Sequence, residues 1–301
     1  MKVLVTGGLG HIGSKLVEYL SNEGHSITVV DNISTQRYSS IFNRIPKIFS
    51  FYPIDTRDEK IEKFVDENDV VIHLAGMTDA AGSINMANEL FENNLKSTIN
   101  ISRMTNKYNK KLVFSSSTSV YGYQENIVSE ITKELNPMTP YAKCKIDEEN
   151  FIQNNNSNFS ILRLGTIFGV SNGMRFHTAV NKFCWDSAFY KKIVIWQDAF
   201  NQVRPYLGLG DACVSILRVI DNEKNKNEII NILTLHATPE NIATEIKARI
   251  SDLEIMFENH SHVNQTSYEV SNKKALNSGF VFRDQLSLEI DKTLKLLIGD
   301  A

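Results

Sequence analysis

Apolar positions in the first half of the chain follow two alternating patterns. One is a set of short, solidly apolar runs rich in β-branched residues. These are Val3-Leu4-Val5, Ile27-Thr28-Val29-Val30, residues 48–54, Val70-Val71-Ile72-His73-Leu74, Lys111-Leu112-Val113-Phe114 and Ser160-Ile161-Leu162-Arg163-Leu164. Runs of that length without polar alternation predict strands covered on both faces. The other pattern has helical period. Over residues 11–23, Ile12, Leu16, Val17 and Leu20 share one face, and Gly24 stops the helix. Residues 59–66 predict a short helix, 84–108 a long one and 140–152 a third.

Strand and helix in alternation predict βαβ units with right-handed crossovers, hence an α/β fold built on a doubly wound parallel sheet. After Gly165 the rhythm changes. Helices are expected over 176–190, 210–221, 239–250 and 286–297, and a strand over 193–196. A further strand over 229–233 is expected to rejoin the main sheet. Residues 222–227, rich in Asn and Lys, read as a solvated loop. No repeat or low-complexity linker separates the two parts. The expected organisation is a sheet domain over 1–165, rejoined by 207–235, with a smaller interleaved C-terminal lobe from 166–206 and 236–301.

Composition narrows the function. With 301 residues, 42% hydrophobic and 22% charged, the chain is long enough for a sizeable core and too apolar for disorder. The net charge is −3 and no lysine-arginine run stands out, which argues against a nucleic-acid partner. The three cysteines, Cys144, Cys184 and Cys213, lie far apart. That spacing argues against a disulfide framework or a zinc site, so no metal is expected, and a reducing compartment fits. The opening run Met1 to Thr6 is too short for a signal-peptide core, and no stretch reaches the roughly 18 apolar residues of a membrane span. A cytoplasmic protein without membrane attachment is expected.

Two motifs carry chemistry. Thr6-Gly7-Gly8-Leu9-Gly10-His11-Ile12-Gly13 sits between the first strand and the first helix. Gly7 suits the tight turn, Gly10 lets backbone approach a pyrophosphate, and Gly13 lets helix pack on sheet. The helix N-terminus then offers N–H groups to the phosphates. Asp31 closes the second strand near the spacing at which an acid accepts from ribose hydroxyls. It would repel a 2′-phosphate, which favours NAD over NADP. The alternative is an ordinary glycine turn with a solvated Asp.

Tyr141 and Lys145 are four apart on a predicted helix that Thr139 caps and Pro140 opens, so they share a face. A free tyrosine has a pKa near 10; bringing it to about 7 takes roughly 4 kcal/mol of phenolate stabilisation. A lysine ammonium beside the ring oxygen, with the charge of an oxidised nicotinamide, is expected to supply much of it. The result is a base matched to a sugar hydroxyl. Upstream, Ser115-Ser116-Ser117-Thr118-Ser119 lies at a strand's carboxyl end, where ligands of open α/β sheets bind. Each signal alone is common; the three in this order and context are not.

With these motifs the chain resembles the extended short-chain dehydrogenase/reductase family. Within it the chain is similar to the NAD-dependent nucleotide-sugar epimerase/dehydratase group that includes the UDP-galactose 4-epimerases. The resemblance spans nearly the whole chain. It rests on Thr6-Gly7-x-x-Gly10-x-x-Gly13, Val30-Asp31-Asn32, His73-Leu74-Ala75-Gly76, Ser115-Ser116-Ser117 through Tyr121-Gly122, and Tyr141-x-x-x-Lys145. It implies a Rossmann-type domain over 1–165. Gly7, Gly10, His11, Ile12 and Gly13 would cradle NAD, and Asp31, Asn32, Asp55 and Thr56 would face its adenosine end. Leu74, Ala75 and Gly76 would pass under the cofactor, with Asn94 and Ser115 beside it. Ser117 matches the catalytic hydroxyl, Thr118 being the fallback. Tyr141 matches the acid/base, and Lys145 the lysine that binds the nicotinamide ribose. Thr78, Ser117, Thr118, Thr166, Arg175, Asn181 and Arg204 would face a nucleotide-sugar substrate, Asn181 and Arg204 at its phosphates. A homodimer paired through the helices at 84–108 and 140–152 is also implied.

Two departures shape the expected activity. The dehydratase branch carries an Asp-Glu pair where this chain has Thr118-Ser119, which disfavours a 4,6-elimination. Galactose-type epimerases often carry a lysine where this chain reads Met77-Thr78-Asp79, which argues against galactose itself as the sugar. The expected function is NAD-dependent epimerisation of a nucleotide sugar. The alternatives are a net oxidoreductase or decarboxylase of the same family, and a non-catalytic NAD(P)-binding regulator. Such regulators commonly lose the tyrosine or the lysine; this chain keeps both. His260 and His262 read as exposed loop residues, His73 as a packed core histidine and Cys144 as packing.

Overall fold

The structure, a computed structural model, describes residues 1–45, 47–259 and 267–299. Its first half alternates β1 (Lys2–Thr6), α1 (His11–Asn22), β2 (Ser26–Val30), β3 (Ser50–Tyr52), α2 (Glu62–Glu67), β4 (Val70–His73), α3 (Ala87–Lys107), β5 (Lys111–Ser117), α4 (Pro140–Asn155) and β6 (Phe159–Leu164). The second half adds β7 (Thr166–Phe168), α5 (Ala179–Tyr190), β8 (Lys192–Trp196), β9 (Arg204–Gly208), α6 (Leu209–Asp221) and β10 (Glu228–Ile232). It closes with β11 (Leu235–Ala237), α7 (Pro239–Lys247), β12 (Glu254–Glu258), α8 (Lys273–Asn277) and α9 (Leu286–Ile298).

Seven strands form one sheet in the order β10-β6-β5-β4-β1-β2-β3, every pair parallel. The solid apolar runs are explained by its two covered faces. On β1, Val3 and Val5 point toward Leu16, Leu20, Ile216 and Ile220 of α1 and α6. Leu4, between them, points toward the cluster that holds Val65, Ile101, Met104 and Ile152 of α2, α3 and α4. The chain runs outward from β1 through β2 to β3, then returns to place β4 on the other side of β1. The carboxyl ends of β1 and β4 therefore flank a crevice at the reversal of strand order, where such sheets bind ligands.

The smaller part is built on two sheets, β11-β9-β7 and β12-β8. Phe168, Val180, Cys184, Ile193, Ile195, Ile242, Ile246 and Ile290 make its core, beneath α5, α7 and α9. β10 crosses back to pair with β6 in the main sheet.

Several local expectations change. The helix expected over 84–108 starts at Ala87, because 82–84 form a 3-10 turn. There Asp79 accepts from the Gly82 N–H and Ser83 donates to the Ala80 carbonyl, drawing the backbone out of the helix. The segment 222–227 is largely exposed, with Lys224, Lys226 and Asn227 in solvent, but it includes a 3-10 turn and is pinned at two points. Asn225 is buried, with its carbonyl accepting from Ser160, and Asn227 accepts from the Phe159 N–H. β12 carries no buried apolar face and so left no periodic signal. His260 and His262 lie outside the described residues. Among the described residues no helix is long and apolar enough to cross a membrane, and no cluster of His, Cys, Asp and Glu could hold a metal.

Candidate active site

The glycine turn joins β1 to α1 at the crevice. Gly7 holds φ +68°, and a Cβ there would stand 2.6 Å from the Ala75 backbone. The turn thus presses on the exit of β4, where Leu74, Ala75 and Gly76 lie. A Cβ on Gly13 would stand 2.6 Å from Gly8 Cα and 2.7 Å from Gly7 O, so helix and turn touch backbone to backbone. Gly10 is the N-cap of α1 and brings no capping side chain, which suits the first-turn N–H groups to a phosphate. The His11 imidazole is turned away from that end and donates from Nε2 to the Gly169 carbonyl at 2.9 Å. Ile12 packs against the sheet core.

Asp31 accepts from the Leu9 N–H at 3.2 Å and from the Ile33 N–H at 2.9 Å, which ties the second strand to the turn. Burial raises its pKa above the ordinary carboxylate value; the two N–H donors and Arg37 oppose that rise. Asn32 donates to Asp55, which also takes a two-pronged contact from Arg57 at 2.8 Å. Those bonds hold Asp55 well below the usual carboxylate range despite partial burial. Thr56 is buried, its hydroxyl against Ser97 of α3. Asn94 clasps the loop after β4, accepting from the Met77 N–H and donating to the Met77 carbonyl.

One feature escaped the sequence reading. Arg37 reaches back over the turn, its Nη1 3.7 Å from where a Gly10 Cβ would stand, and donates to the Gly173 carbonyl at 2.9 Å. Residues 169–173 strap onto α1 through further bonds, Ser171 to the His11 carbonyl and the Gly173 N–H to Ser14. The cradle fits a dinucleotide: side-chain-free backbone at Gly7, Gly10 and Gly13, a cation above it and a carboxylate at the end of β2.

On the other side of the crevice, Thr139 accepts from the Ala142 N–H and Pro140 opens α4. Tyr141 and Lys145 are both buried. Ser117, the last residue of β5, lies on the Tyr141 side of the crevice, where its hydroxyl favours the phenolate. Ser117 also accepts from the Ser119 hydroxyl at 2.9 Å. Thr118 does not join this group; its hydroxyl donates to the Leu164 carbonyl. Ser115, two residues back on the same face, donates to the His73 carbonyl at 3.4 Å. Lys145 Nζ lies 5.9 Å from the Tyr141 ring centroid, 4.5 Å from that of Phe114 and 3.0 Å from Glu148 Oε2.

The expected drop in the tyrosine's pKa is not produced by the protein's own charges. Burial is the largest influence on Tyr141 and raises its pKa; Glu148 adds to the rise, while Lys145, Ser117 and Arg175 oppose it. The net direction is upward. Lys145, which burial alone would lower, is held above its ordinary value by Glu148 and Tyr141. The lysine's charge is shared with a carboxylate that the motif did not reveal, although Glu148 falls three residues on and so on the same helix face.

The remaining positions divide. Arg175 bonds to the Thr78 hydroxyl, bringing the loop before α5 against the loop after β4. Its pKa is pulled down to about 10 by burial and by Arg37, with Tyr141 and Asp79 pulling it back up. Asn181 is fully buried and binds its own loop, accepting from the Gly169 N–H and donating to the Arg175 carbonyl. Thr166 is half-buried on β7 opposite Tyr206. Arg204 lies over the Tyr268 ring at 5.6 Å, in the small sheet.

Comparison with known proteins identifies the family. Residues 3–232 match the profile of the NAD dependent epimerase/dehydratase family. A putative UDP-glucose 4-epimerase of Methanocaldococcus jannaschii is 30% identical over 242 residues, 77% of this chain and 76% of that protein. A UDP-N-acetyl-alpha-D-glucosaminuronate decarboxylase of Bacillus cytotoxicus is 30% identical over 244 residues, 77% and 74% of the two chains. Among solved structures, UDP-glucuronic acid 4-epimerase of Bacillus cereus, in complex with UDP-glucuronic acid and NAD, superposes with a TM-score of 0.89. It covers 99% of this chain and 100% of its own at 24% identity, a likeness of fold. The chain belongs to the NAD dependent epimerase/dehydratase family and is an enzyme whose cofactor is NAD.

Proposed function

We propose that the protein is a nucleotide-sugar epimerase in which Tyr141 exchanges a proton with one sugar hydroxyl. The observation that carries this reading is the group of Tyr141, Ser117 and Lys145 at the carboxyl end of β5, across the crevice from the glycine cradle. Ser117 holds the reacting oxygen and passes its proton to Tyr141. Lys145 supplies the cation nearest the phenolic ring. Bound NAD supplies a hydride acceptor that returns what it takes, so the sugar leaves oxidised to no net degree. Gly7, Gly10, Gly13, Asp31 and Asn32 bind the cofactor, and Asn94 fixes the loop of Leu74 to Gly76 beneath it. Thr78, Arg175 and Arg204 face the substrate, and a guanidinium fork suits its phosphates or an acidic group. In this reading residues 1–165 and 207–235 bind NAD, and 166–206 and 236–301 hold the sugar nucleotide. The enzyme works as a cytoplasmic homodimer paired through α3 and α4; three buried unpaired cysteines suit that compartment.

A panel of UDP-hexoses and UDP-uronic acids, followed by NMR with absorbance near 340 nm, tests the reading. Interconversion of C4 epimers without accumulating reduced cofactor is expected. Tyr141→Phe should slow turnover by about 10²–10⁴-fold while NAD still binds; turnover at the wild-type rate refutes the assignment. Arg175 favours one second reading. Its half-buried guanidinium, bonded to Thr78 and within reach of the Tyr141 charge, suits a sugar carboxylate, and one similar protein is a decarboxylase. Release of CO₂ from a UDP-uronic acid would decide for it.

A further inference from the structure

Of the three carboxylates that follow Lys145 on α4, Asp147, Glu148 and Glu149, the last two are divided between different tasks. Glu149 turns to Arg163 of β6, accepting from Nη2 at 2.6 Å and from Nε at 3.0 Å, and also accepts from Ser116. Glu148 turns the other way, to Lys145, and is fully buried. A buried carboxylate persists only where donors and a cation compensate it. Its second oxygen accepts from the Thr98 hydroxyl of α3. That hydroxyl has one proton, so it accepts in turn from His73 Nε2, 3.2 Å away, and His73 Nδ1 accepts from the Thr6 hydroxyl at 2.7 Å. A directional chain of hydrogen bonds thus runs from β1, at the edge of the glycine turn, through β4 and α3 to the carboxylate.

We propose that Glu148 is a positioning residue for the reaction, holding the Lys145 ammonium by a buried ion pair and setting the charge that Tyr141 faces. The proposal rests on the assignment of Tyr141 and Lys145 made above. The groups around them are few. Glu148 and Cys144 lie on α4 itself. His73 stands on β4, with a pKa depressed to about 3 by burial and by Lys145, so it is neutral and passes hydrogen bonds without adding charge. The charge of Arg175, in the loop before α5, also acts on Tyr141, and those of Arg37 and Asp79 act on Arg175. Lys145 and Arg175 therefore favour the phenolate and Glu148 opposes them. Without Glu148 the lysine charge bears on Tyr141 undivided.

The test is a pH titration of the NAD-saturated protein, read by tyrosinate absorbance near 295 nm. The difference between wild type and Tyr141→Phe isolates Tyr141, and needs no substrate. The same difference in a Glu148→Gln background should place the transition about one pH unit or more lower. A transition within about 0.3 pH unit of the wild-type value, in a folded variant, overturns the proposal. Thr98→Val provides a second arm should Glu148→Gln not fold. It removes the hydroxyl that shares the carboxylate's charge, so the transition should move upward; no movement overturns the proposal. A failed turnover test of Tyr141 would leave these shifts measurable, so the two readings fail separately.

Discussion

Gly13→Ala should cripple NAD binding while leaving most of the fold in place. The added Cβ would stand 2.6 Å from Gly8 Cα, 2.7 Å from Gly7 O and 2.8 Å from Gly8 C. All three are backbone atoms, so no side chain can rotate aside, and the turn must give by about 0.8 Å to reach ordinary contact at 3.4 Å. Overpacking of this kind costs about 1–3 kcal/mol of stability. The larger effect should fall on the cofactor, because in the proposed binding mode the displaced segment supplies the N–H groups for its diphosphate. Losing one charge-assisted hydrogen bond costs about 1.5–3 kcal/mol, or roughly 10–150-fold in Kd. Gly24→Ala is the control. Gly24, unlike the helical Gly13, holds a positive φ, +75°, and nothing lies within 4 Å of its Cβ position. It should lose about 1 kcal/mol to backbone strain and bind NAD normally. Kd for NAD by calorimetry, with thermal melts of both variants, checks this. Equal NAD affinity in Gly13→Ala and Gly24→Ala would refute the claim that close approach, not stability, is what the third glycine serves.

Two further outcomes concern stability. Glu149→Gln leaves Arg163 buried without its anion and should cost about 3–5 kcal/mol, seen as a clear drop in Tm; Glu149→Leu with Arg163→Met should recover more than half of it, and a double variant no better than the single would refute the argument. Burial depresses His11 to about 4, against the unfolded value of 6.5. The unfolded chain then binds a proton that the folded one refuses, so stability falls as pH drops from 6.5 toward 4. The loss from His11 is about 3 kcal/mol; urea denaturation at pH 7 and pH 4 should show a shallower decline in His11→Gln, and an identical decline would refute the assignment.

The parts of the site that were legible beforehand are those whose geometry is local. Gly7, Gly10 and Gly13 act within one turn and the helix it opens, and Tyr141 and Lys145 meet because four residues make about one helical turn. The solid apolar strands declared a sheet covered on both faces before its partners were known. What escaped notice joins distant segments. Arg37 meets Gly173, Arg175 meets Thr78 and Glu148 meets Thr98, and no periodicity relates such positions.

The sign of the Tyr141 shift shows the division most clearly. The order of residues placed a lysine beside the tyrosine, and from that pair alone the phenolate looks favoured. Folding buries the ring and the Lys145–Glu148 pair together, and both the burial and the carboxylate act the other way. Chain order can state which charges are neighbours on a helix. How much water surrounds them, and which groups other strands and helices bring alongside, is decided only when α3, α4 and the main sheet close on one another, because desolvation and long-range pairing belong to the packed molecule and to no single segment of it.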